Sequence, residues 1–252
     1  MTVDLHVTND GVATLTLNRP EKHNAFDDAI IAMLIEHLHQ LDTDKQVRVV
    51  CLEAQGKNFS AGADLAWMQR MVDYSMQENL ADAKQLALLM RMLDTLSKPT
   101  VALVDGAAYG GGVGLVACCD IVFATPNARF CFSEVKVGLV PAVIAPYVVR
   151  AIGLRNTRRY FLTAEIFNAS VASDLGLVSE IVEPEQLIAR RDALCERLNT
   201  FEPATLAECK KLWHRVADSA DESLDDELAS LIANIRISAA SQRALRRFLQ
   251  GR

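Results

Sequence analysis

The chain has no run of about 18 consecutive apolar residues, the length that a membrane-spanning helix requires. Its first residues, MTVDLHVTNDG, lack a basic stretch followed by an apolar one, so no signal peptide is expected there. Positive charge is also in deficit, because 26 Lys and Arg residues face 32 Asp and Glu residues and leave a formal net charge of −6. Proteins that bind nucleic acids usually carry an excess of cations. We therefore expect neither a membrane protein nor a nucleic-acid-binding protein.

The cysteines lack the arrangement of a disulfide framework. Six occur in 252 residues, and Cys118 and Cys119 are adjacent in the sequence. We interpret them as small buried side chains in a reducing cytosol. Aromatic residues are scarce, at 6%, but half of all residues are hydrophobic, which excludes a disordered chain. The composition predicts a soluble, cytoplasmic, globular protein with one large domain, or a core and a small appendage.

Strand, loop and helix patterns alternate along the chain and predict an α/β layered core. A hairpin is expected where the turn 9–11 (Asn-Asp-Gly) separates two β-rich runs, and Asp27 or Asp28 is expected to cap a helix. Further strands are expected at 47–52, 100–104, 120–124 and 129–132, and a long helix at 80–96. We assign the core to residues 1–200 and a C-terminal helical region to residues 201–252.

Two stretches of small residues allow the backbone to approach a ligand closely. The first, residues 58–65, ends where Asp64 begins a helix, whose free N–H groups favour negative charge. The second, residues 105–112, contains three consecutive glycines before an apolar helix. Each also has a purely structural interpretation: a strand-to-helix turn with Asp64 as N-cap, and a place where two chain segments cross closely. The second is not a nucleotide-binding loop, because the acidic partner and the Gly-Lys-Ser/Thr signature are missing.

Metal and nucleophile chemistry have little support in the sequence. His37 and His39 are two positions apart on a predicted helix, so they face different directions and make a poor metal pair. No Gly-x-Ser-x-Gly elbow is present, and the cysteines have no nearby histidine. We therefore predict no metal site.

One carboxylate stands in unusual surroundings. Glu134 lies in the mostly apolar stretch 130–138, just after a predicted strand. A carboxylate in apolar surroundings has a raised pKa, which suits a proton-transfer group. The alternative is a Glu134 that pairs with Lys136 at a solvated edge.

Four stretches, taken together in order and spacing, match a known family. They are residues 17–26 (Leu-Asn-Arg-Pro-Glu-Lys-His-Asn-Ala-Phe), residues 59–65, residues 106–112 with Cys119-Asp120-Ile121, and Glu134 with residues 138–141. Over nearly its full length, the chain resembles the enoyl-CoA hydratase/isomerase (crotonase) family. The resemblance implies an α/β fold, a spiral of β-β-α units with a helical C-terminal trimerisation region. It also implies an acyl-CoA thioester as substrate, no cofactor, and a homotrimer or hexamer.

The same resemblance implies roles for particular residues. Family members hold the thioester oxygen of an enolate with two backbone N–H groups, which correspond here to Ala63 and Gly111, and Glu134 corresponds to a catalytic glutamate. Small residues and preorganised N–H donors are what such an oxyanion hole requires. The residues that the resemblance places along coenzyme A are Lys22, Ala25, Ala61, Asp64 and Leu65.

The chain departs from the family pattern at one position. Hydratases of this family usually carry a second glutamate two positions after the triple glycine, and that position is Gly114 here. Several isomerases of the family work with a single carboxylate at the position of Glu134. Hydration of an enoyl-CoA, enoyl-CoA isomerisation and non-catalytic CoA binding are therefore the alternative functions.

The altered stretches 112–120 and 133–147 are similar to those of bacterial 3-methylglutaconyl-CoA hydratases and of relatives that act on isohexenylglutaconyl-CoA. This similarity implies hydration of a branched enoyl thioester that carries a carboxylate. Such a carboxylate needs a cationic or hydrogen-bonding partner, for which Lys136, Arg70 and Arg150 are the candidates.

Coenzyme A also carries phosphates, so an acidic protein needs local positive charge to bind it. Arg19, Lys22 and His23 lie on one loop and are expected to supply that charge. Near the C-terminus, Lys210 or Lys211 is a further candidate for a phosphate contact.

Overall fold

The structure is a computed structural model that describes residues 2–218 and 223–250. It begins with the expected hairpin, in which β1 (Val3–Val7) pairs antiparallel with β2 (Val12–Leu17). Helix α1 (Asp28–Thr43) follows. The Asp27 side chain caps this helix by accepting a hydrogen bond from the Ile30 N–H at 3.1 Å. Of the two expected candidates, Asp27 is therefore the N-cap and Asp28 is the first residue of the helix.

The remaining elements continue the alternation of strands and helices. The strands are β3 (Val49–Ala54), β4 (Thr100–Val104), β5 (Ala107–Tyr109), β6 (Ile121–Ala124), β7 (Arg129–Cys131), β8 (Phe167–Asn168) and β9 (Glu180–Ile181). The helices are α2 (Leu65–Met71), α3 (Met76–Thr95), α4 (Gly111–Cys118), α5 (Ala145–Thr163), α6 (Ala169–Asp174), α7 (Leu187–Asn199), α8 (Pro203–Asp218), α9 (Ser223–Ile237) and α10 (Ala239–Gln250). Short 3-10 turns cover Pro20–Lys22, Glu134–Val137 and Pro184–Gln186. Of the helices described, none is both long and apolar enough to cross a membrane.

The described strands form two sheets that the chain visits in turn. The larger sheet has the order β1-β2-β3-β4-β6-β9 and the smaller has the order β5-β7-β8. Strands β4 and β5 follow each other in the chain but join different sheets, and β6 and β7 repeat this after α4. All neighbours in the larger sheet except β1 and β2 are parallel. This repetition confirms the expected spiral of β-β-α units.

The core holds α4 firmly against its neighbours. All five residues of β4 are buried, as is typical of a parallel strand covered on both faces. Val113 and Val116 of α4 are fully buried in the same cluster as Met90 of α3 and Ile31 of α1. Because close-packed interiors leave little freedom of movement, the N-terminus of α4 has a fixed position.

The C-terminal helices begin with α8, which is anchored to the core by a buried lysine. Lys210 is 4% exposed, and its Nζ contacts Asp120 Oδ2 at 2.6 Å and the Lys98 carbonyl oxygen at 3.0 Å. The expectation that Lys210 reaches a CoA phosphate is therefore wrong, because its ammonium group is buried within the protein. Lys211 is exposed and pairs with Glu208 at 2.7 Å.

Candidate active site

The two stretches of small residues lie side by side. Ser60 N–H donates to the Ala107 carbonyl at 2.9 Å, and Tyr109 N–H donates to the Ser60 carbonyl at 2.9 Å. Gly62 has a φ of +88°, and a Cβ atom there would lie 2.9 Å from the Tyr109 carbonyl oxygen. Only glycine combines this left-handed conformation with such a close approach. The two stretches are therefore joined by backbone hydrogen bonds, which a simple close crossing of two chain segments does not require.

The N–H group of Ala63 points away from the backbone that holds its loop. Phe26 N–H donates to the Gly62 carbonyl at 2.8 Å, and Asp64 N–H donates to the Phe26 carbonyl at 3.0 Å. In a trans peptide the C=O and the following N–H point in opposite directions, so the bond to Gly62 directs the Ala63 N–H to the other side. No hydrogen bond among the described residues uses this N–H, and Ala63 is half-buried. It is a free donor at the surface of the loop.

The N–H group of Gly111 is oriented in the same way. The Gly110 carbonyl accepts hydrogen bonds from Val113 N–H at 3.0 Å and Gly114 N–H at 3.3 Å, in the first turn of α4. The Gly111 N–H, in the same peptide as that carbonyl, therefore points out of the positive end of the helix. It too donates to no partner in the described part of the chain. Both predicted donors are free, and both stand where the two loops touch.

Glu134 lies beside Gly110, the residue that precedes the Gly111 donor. It begins the 3-10 turn after β7, and its Oε1 is 3.4 Å from the position that a Cβ on Gly110 would take. Its Oε2 is buried and has no hydrogen-bond partner among the described residues. Burial raises the pKa of Glu134 above its ordinary value, because the charged form loses hydration. A carboxylate in this state suits proton transfer to and from a ligand held by the donors.

The alternative in which Glu134 pairs with Lys136 is not what the structure contains. Lys136 is exposed, and its Nζ lies 3.6 Å from the Sγ of Cys131. The lysine therefore contacts the thiol and leaves the buried Glu134 oxygen without a partner.

The position of the absent second glutamate is filled by another side chain. Gly114 lies one helical turn after Gly110 and therefore on the same side of α4. The Cγ2 of Ile144 already occupies the place of a Cβ on Gly114, and the Cε of Met90 lies 3.1 Å from that place. The space next to Gly114 is therefore filled by apolar side chains of the buried core. Sequence reasoning identified Gly114 but had no signal that pointed to Ile144.

The residues expected along coenzyme A lie on two neighbouring segments, and they differ in exposure. Lys22 is exposed, Ala61 is half-buried and Ala25 is buried. Leu65 is 81% exposed, which is unusual for a leucine at the start of a helix. Ala61 N–H donates to the His23 carbonyl at 2.9 Å, so the two segments are in direct contact. Their contact with coenzyme A stays a prediction.

Asn24 ties these segments together, although sequence reasoning gave it no role. It has a φ of +53° and is 2% exposed. Its Oδ1 accepts from Arg19 N–H at 2.8 Å, and its Nδ2 donates to the carbonyls of Gln55 at 2.7 Å and Asn58 at 2.8 Å. Left-handed conformations are more accessible to asparagine than to most residues, which is the one local signal available.

Asp64 is already engaged by the protein. Its Oδ1 accepts from the N–H groups of Ala66 at 2.8 Å and Trp67 at 3.2 Å, which makes it the N-cap of α2. Its Oδ2 lies 3.2 Å from Nη2 of Arg19. Burial acts to raise the pKa of Asp64, but the hydrogen bonds and the Arg19 charge outweigh it and lower the pKa. Arg19, which also pairs with Asp27 at 2.9 Å, is thus used inside the loop and is not free for a phosphate.

The three candidate partners of a substrate carboxylate lie in different places. Arg70 pairs with Asp28 at 2.6 Å on the surface. Arg150 pairs with Asp94 at 2.7 Å and lines a separate cavity. Lys136 is in the same 3-10 turn as Glu134 and is therefore the candidate closest to it in the chain.

Comparison with known proteins agrees with this fold and site. Residues 7–252 match the family described as Enoyl-CoA hydratase/isomerase. The chain is similar to the crystal structure of an enoyl-CoA hydratase from Shewanella pealeana, with a TM-score of 0.96 and 43% identity over 100% of this chain and 94% of that one. It is 35% identical to the trans-2-decenoyl-(acyl-carrier-protein) isomerase of Streptococcus mutans, over 77% of this chain and 74% of the isomerase. It is 31% identical to the crotonyl-CoA hydratase of Syntrophomonas wolfei, over 74% of this chain and 72% of that hydratase.

The fold, with its paired backbone donors, defines an enzyme of the crotonase fold class. The chain belongs to the enoyl-CoA hydratase/isomerase family. The resemblance found in the sequence is confirmed at this level, as is the expected fold.

Proposed function

We propose that the protein is a hydro-lyase that adds water across the double bond of an α,β-unsaturated acyl-CoA. The observation that carries this proposal is the buried Oε2 of Glu134, which has no partner among the described residues, in a carboxylate that lies beside Gly110. An unpaired buried carboxylate is costly, and such a group persists where a ligand or a proton is its partner.

The residues divide the chemistry as follows. The Glu134 carboxylate removes a proton from water, and the oxygen of that water forms a bond to the β-carbon of the substrate. The electron pair of the double bond moves towards the thioester, whose oxygen becomes an oxyanion held by the N–H groups of Ala63 and Gly111. Protonated Glu134 then returns its proton to the α-carbon. One group that serves as base and then as acid delivers both parts of water to the same face.

The test is the substitution Glu134→Gln, which keeps the shape of the side chain but removes the base. We expect kcat to fall about 10³-fold, while the affinity for CoA changes little. Glu185→Gln, at an exposed glutamate in the Pro184–Gln186 turn, is the matched control and should leave kcat unchanged. A Glu134→Gln variant that hydrates enoyl thioesters at the wild-type rate would overturn the assignment. Absence of turnover by the wild type on every enoyl thioester tried would favour a CoA-binding protein without catalysis.

We further propose a branched substrate of the 3-methylglutaconyl-CoA type. The sequence similarity to that subgroup supports it, and it includes Gly114, which carries no carboxylate and is packed by Ile144. A panel of 3-methylglutaconyl-CoA, its isohexenyl analogue and crotonyl-CoA tests this proposal. A kcat/KM that is higher for crotonyl-CoA than for the two branched substrates would contradict it.

A second candidate function is double-bond isomerisation in an acyl thioester. The single carboxylate of the site favours it, because one group suffices to move a proton between two carbons, and the 35% identical Streptococcus mutans relative is named an isomerase. Product analysis in ¹⁸O-labelled water separates the two reactions. A hydratase product gains the mass of labelled water, whereas an isomerase product has the mass of its substrate.

We also propose a homotrimer or a dimer of trimers, and a reaction that requires no cofactor or metal besides the acyl-CoA and water. Exposed apolar side chains on the C-terminal helices support assembly, and they include Trp213, Val216, Ile232, Ile237 and Leu249. Size-exclusion chromatography with light scattering tests the assembly, and a monomeric mass would contradict it. Dialysis against a chelator tests the proposal that no metal is required, since the activity should then be unchanged.

A further inference from the structure

Phe26 contacts both loops that carry the oxyanion donors. Its N–H and C=O hold the backbone on either side of Ala63, through bonds of 2.8 Å to the Gly62 carbonyl and 3.0 Å from the Asp64 N–H. Phe26 and Ala63 form an isolated parallel bridge, so Phe26 aligns the Ala63 peptide from that side.

The ring of Phe26 reaches the other donor. A Cβ atom added to Gly111 would lie 2.5 Å from the Cζ of Phe26, a distance that real carbon atoms do not adopt. The ring therefore lies directly against the Cα of Gly111, and Phe26 itself is 1% exposed. The backbone of Phe26 thus contacts the loop of Ala63, and its ring contacts the loop of Gly111.

We propose that Phe26 is a positioning residue that sets the distance between the two oxyanion donors. The inference rests on the proposed use of Ala63 and Gly111 in the reaction. Two donors stabilise an oxyanion only when both are held at the correct place before charge develops. Because a misplacement of about 1 Å can reduce a rate about 100-fold, a rigid ring between the loops has a direct effect on turnover.

A pair of substitutions tests the contact itself. Gly111→Ala should lower kcat about 100-fold, because its methyl group pushes the donor away from the ring. Phe26→Leu, which lacks the Cζ atom, should lower kcat about tenfold by loosening the spacing. The double variant should recover about tenfold over Gly111→Ala alone, since the shorter side chain gives the methyl group room. For all three variants, KM should change much less than kcat.

The control separates positioning from general loss of packing. Phe123→Leu makes the same change at a buried phenylalanine of β6, which packs in an apolar cluster with Val49 and Val101 that contains no residue of either donor loop. We expect Phe26→Leu and Phe123→Leu to lower the melting temperature by similar amounts, but only Phe26→Leu to lower kcat. Equal kcat values for these two variants, or a double variant no faster than Gly111→Ala, would overturn the proposal.

A binding measurement distinguishes failure of this proposal from failure of the proposed hydration. Acetoacetyl-CoA forms an enolate with a near-ultraviolet absorbance, and its affinity reports the donors without any turnover. If the wild type hydrates no enoyl thioester but binds this enolate, and Phe26→Leu weakens that binding about tenfold relative to CoA, the hydratase proposal fails and the role of Phe26 stands. If the wild type prefers the enolate no more than CoA, both proposals fail.

Discussion

The Cγ2 methyl group of Ile144 occupies the place that a Cβ atom on Gly114 would need. Ile144 precedes α5 and is 30 residues away from Gly114 in the chain, yet the two residues are in contact in the buried core. This contact accounts for the lack of a side chain at position 114. A longer side chain has no space unless Ile144 becomes smaller.

The first prediction concerns this contact. Gly114→Glu should destabilise the protein by at least about 1–3 kcal/mol, because it overpacks a closed region of the core. In the double variant with Ile144→Ala, the free energy of unfolding should be at least about 1 kcal/mol above the additive expectation. Urea unfolding measures these values. The control combines Gly114→Glu with Ile31→Ala, a buried isoleucine of α1, and should be additive. Additivity in both pairs would contradict the contact.

The second prediction concerns the pH dependence of stability at Glu134. Its pKa is raised in the folded state above the ordinary value of 4.5. At pH values above 4.5, the Glu134 carboxyl group therefore holds its proton more strongly in the folded protein than in the unfolded chain. Stability therefore falls as pH rises from that value through the folded pKa, and it stays lower at neutral pH. Glu134→Gln should then raise the melting temperature by about 2–4 °C at pH 7. The rise in melting temperature should vanish at pH values below the ordinary pKa, where the glutamate is neutral like the glutamine that replaces it. An equal rise at acid pH would contradict the prediction.

The third prediction concerns Asp64, whose pKa is lowered in the folded state. Its contribution to stability is present above the ordinary value of 3.8 and is lost as pH falls through the folded pKa. At pH 7, Asp64→Ala should cost about 1–2 kcal/mol, because α2 loses its N-cap and Arg19 loses a partner. Urea unfolding across pH checks this, with Asp174→Ala at an exposed position as the control. A cost that stays constant down to the most acid pH would contradict it.

The fourth prediction concerns Asn24. Asn24→Ala should lower the free energy of unfolding by about 2–3 kcal/mol, because it leaves buried polar groups of the neighbouring backbone without partners. The exposed Asn79→Ala is the control, and its effect should be small. If Asn24→Ala is as stable as the wild type in urea unfolding, the segments near the expected CoA site are held together in some other way.

The fifth prediction concerns selectivity for a substrate carboxylate. Lys136→Gln should raise KM for 3-methylglutaconyl-CoA about tenfold, which corresponds to loss of one charge-assisted hydrogen bond. KM for 3-methylcrotonyl-CoA, which lacks that carboxylate, should not change. Arg150→Gln serves as the comparison, because Arg150 lines a different cavity. If Arg150→Gln rather than Lys136→Gln raises KM selectively, the carboxylate partner is Arg150.

Much of the site was predictable from local sequence. Consecutive glycines, a small-residue loop before a helix and a glutamate in an apolar stretch are each visible within about ten residues, since they reflect backbone conformation and short-range surroundings. Their order along the chain was sufficient to identify the family, and the structure places the Oε1 of Glu134 near Gly110.

The partners of these residues were not predictable in the same way. Lys210 was one of two candidates for a phosphate contact, but it is paired with Asp120, 90 residues away in the chain. Arg19 was expected to face a ligand, but it meets Asp64 across two loops. A charged side chain has the same appearance in the sequence whether it is solvated or paired, because its partner depends on how distant segments pack.

The sequence by itself determined which backbone positions are small enough for a close approach and where the one apolar-flanked carboxylate lies. Only the tertiary structure decided which side chains surround them: the ring of Phe26 against Gly111 and the methyl group of Ile144 against Gly114. The physical reason is that absence of a side chain is a local property, whereas the identity of the group that fills the space depends on contacts between segments far apart in the chain.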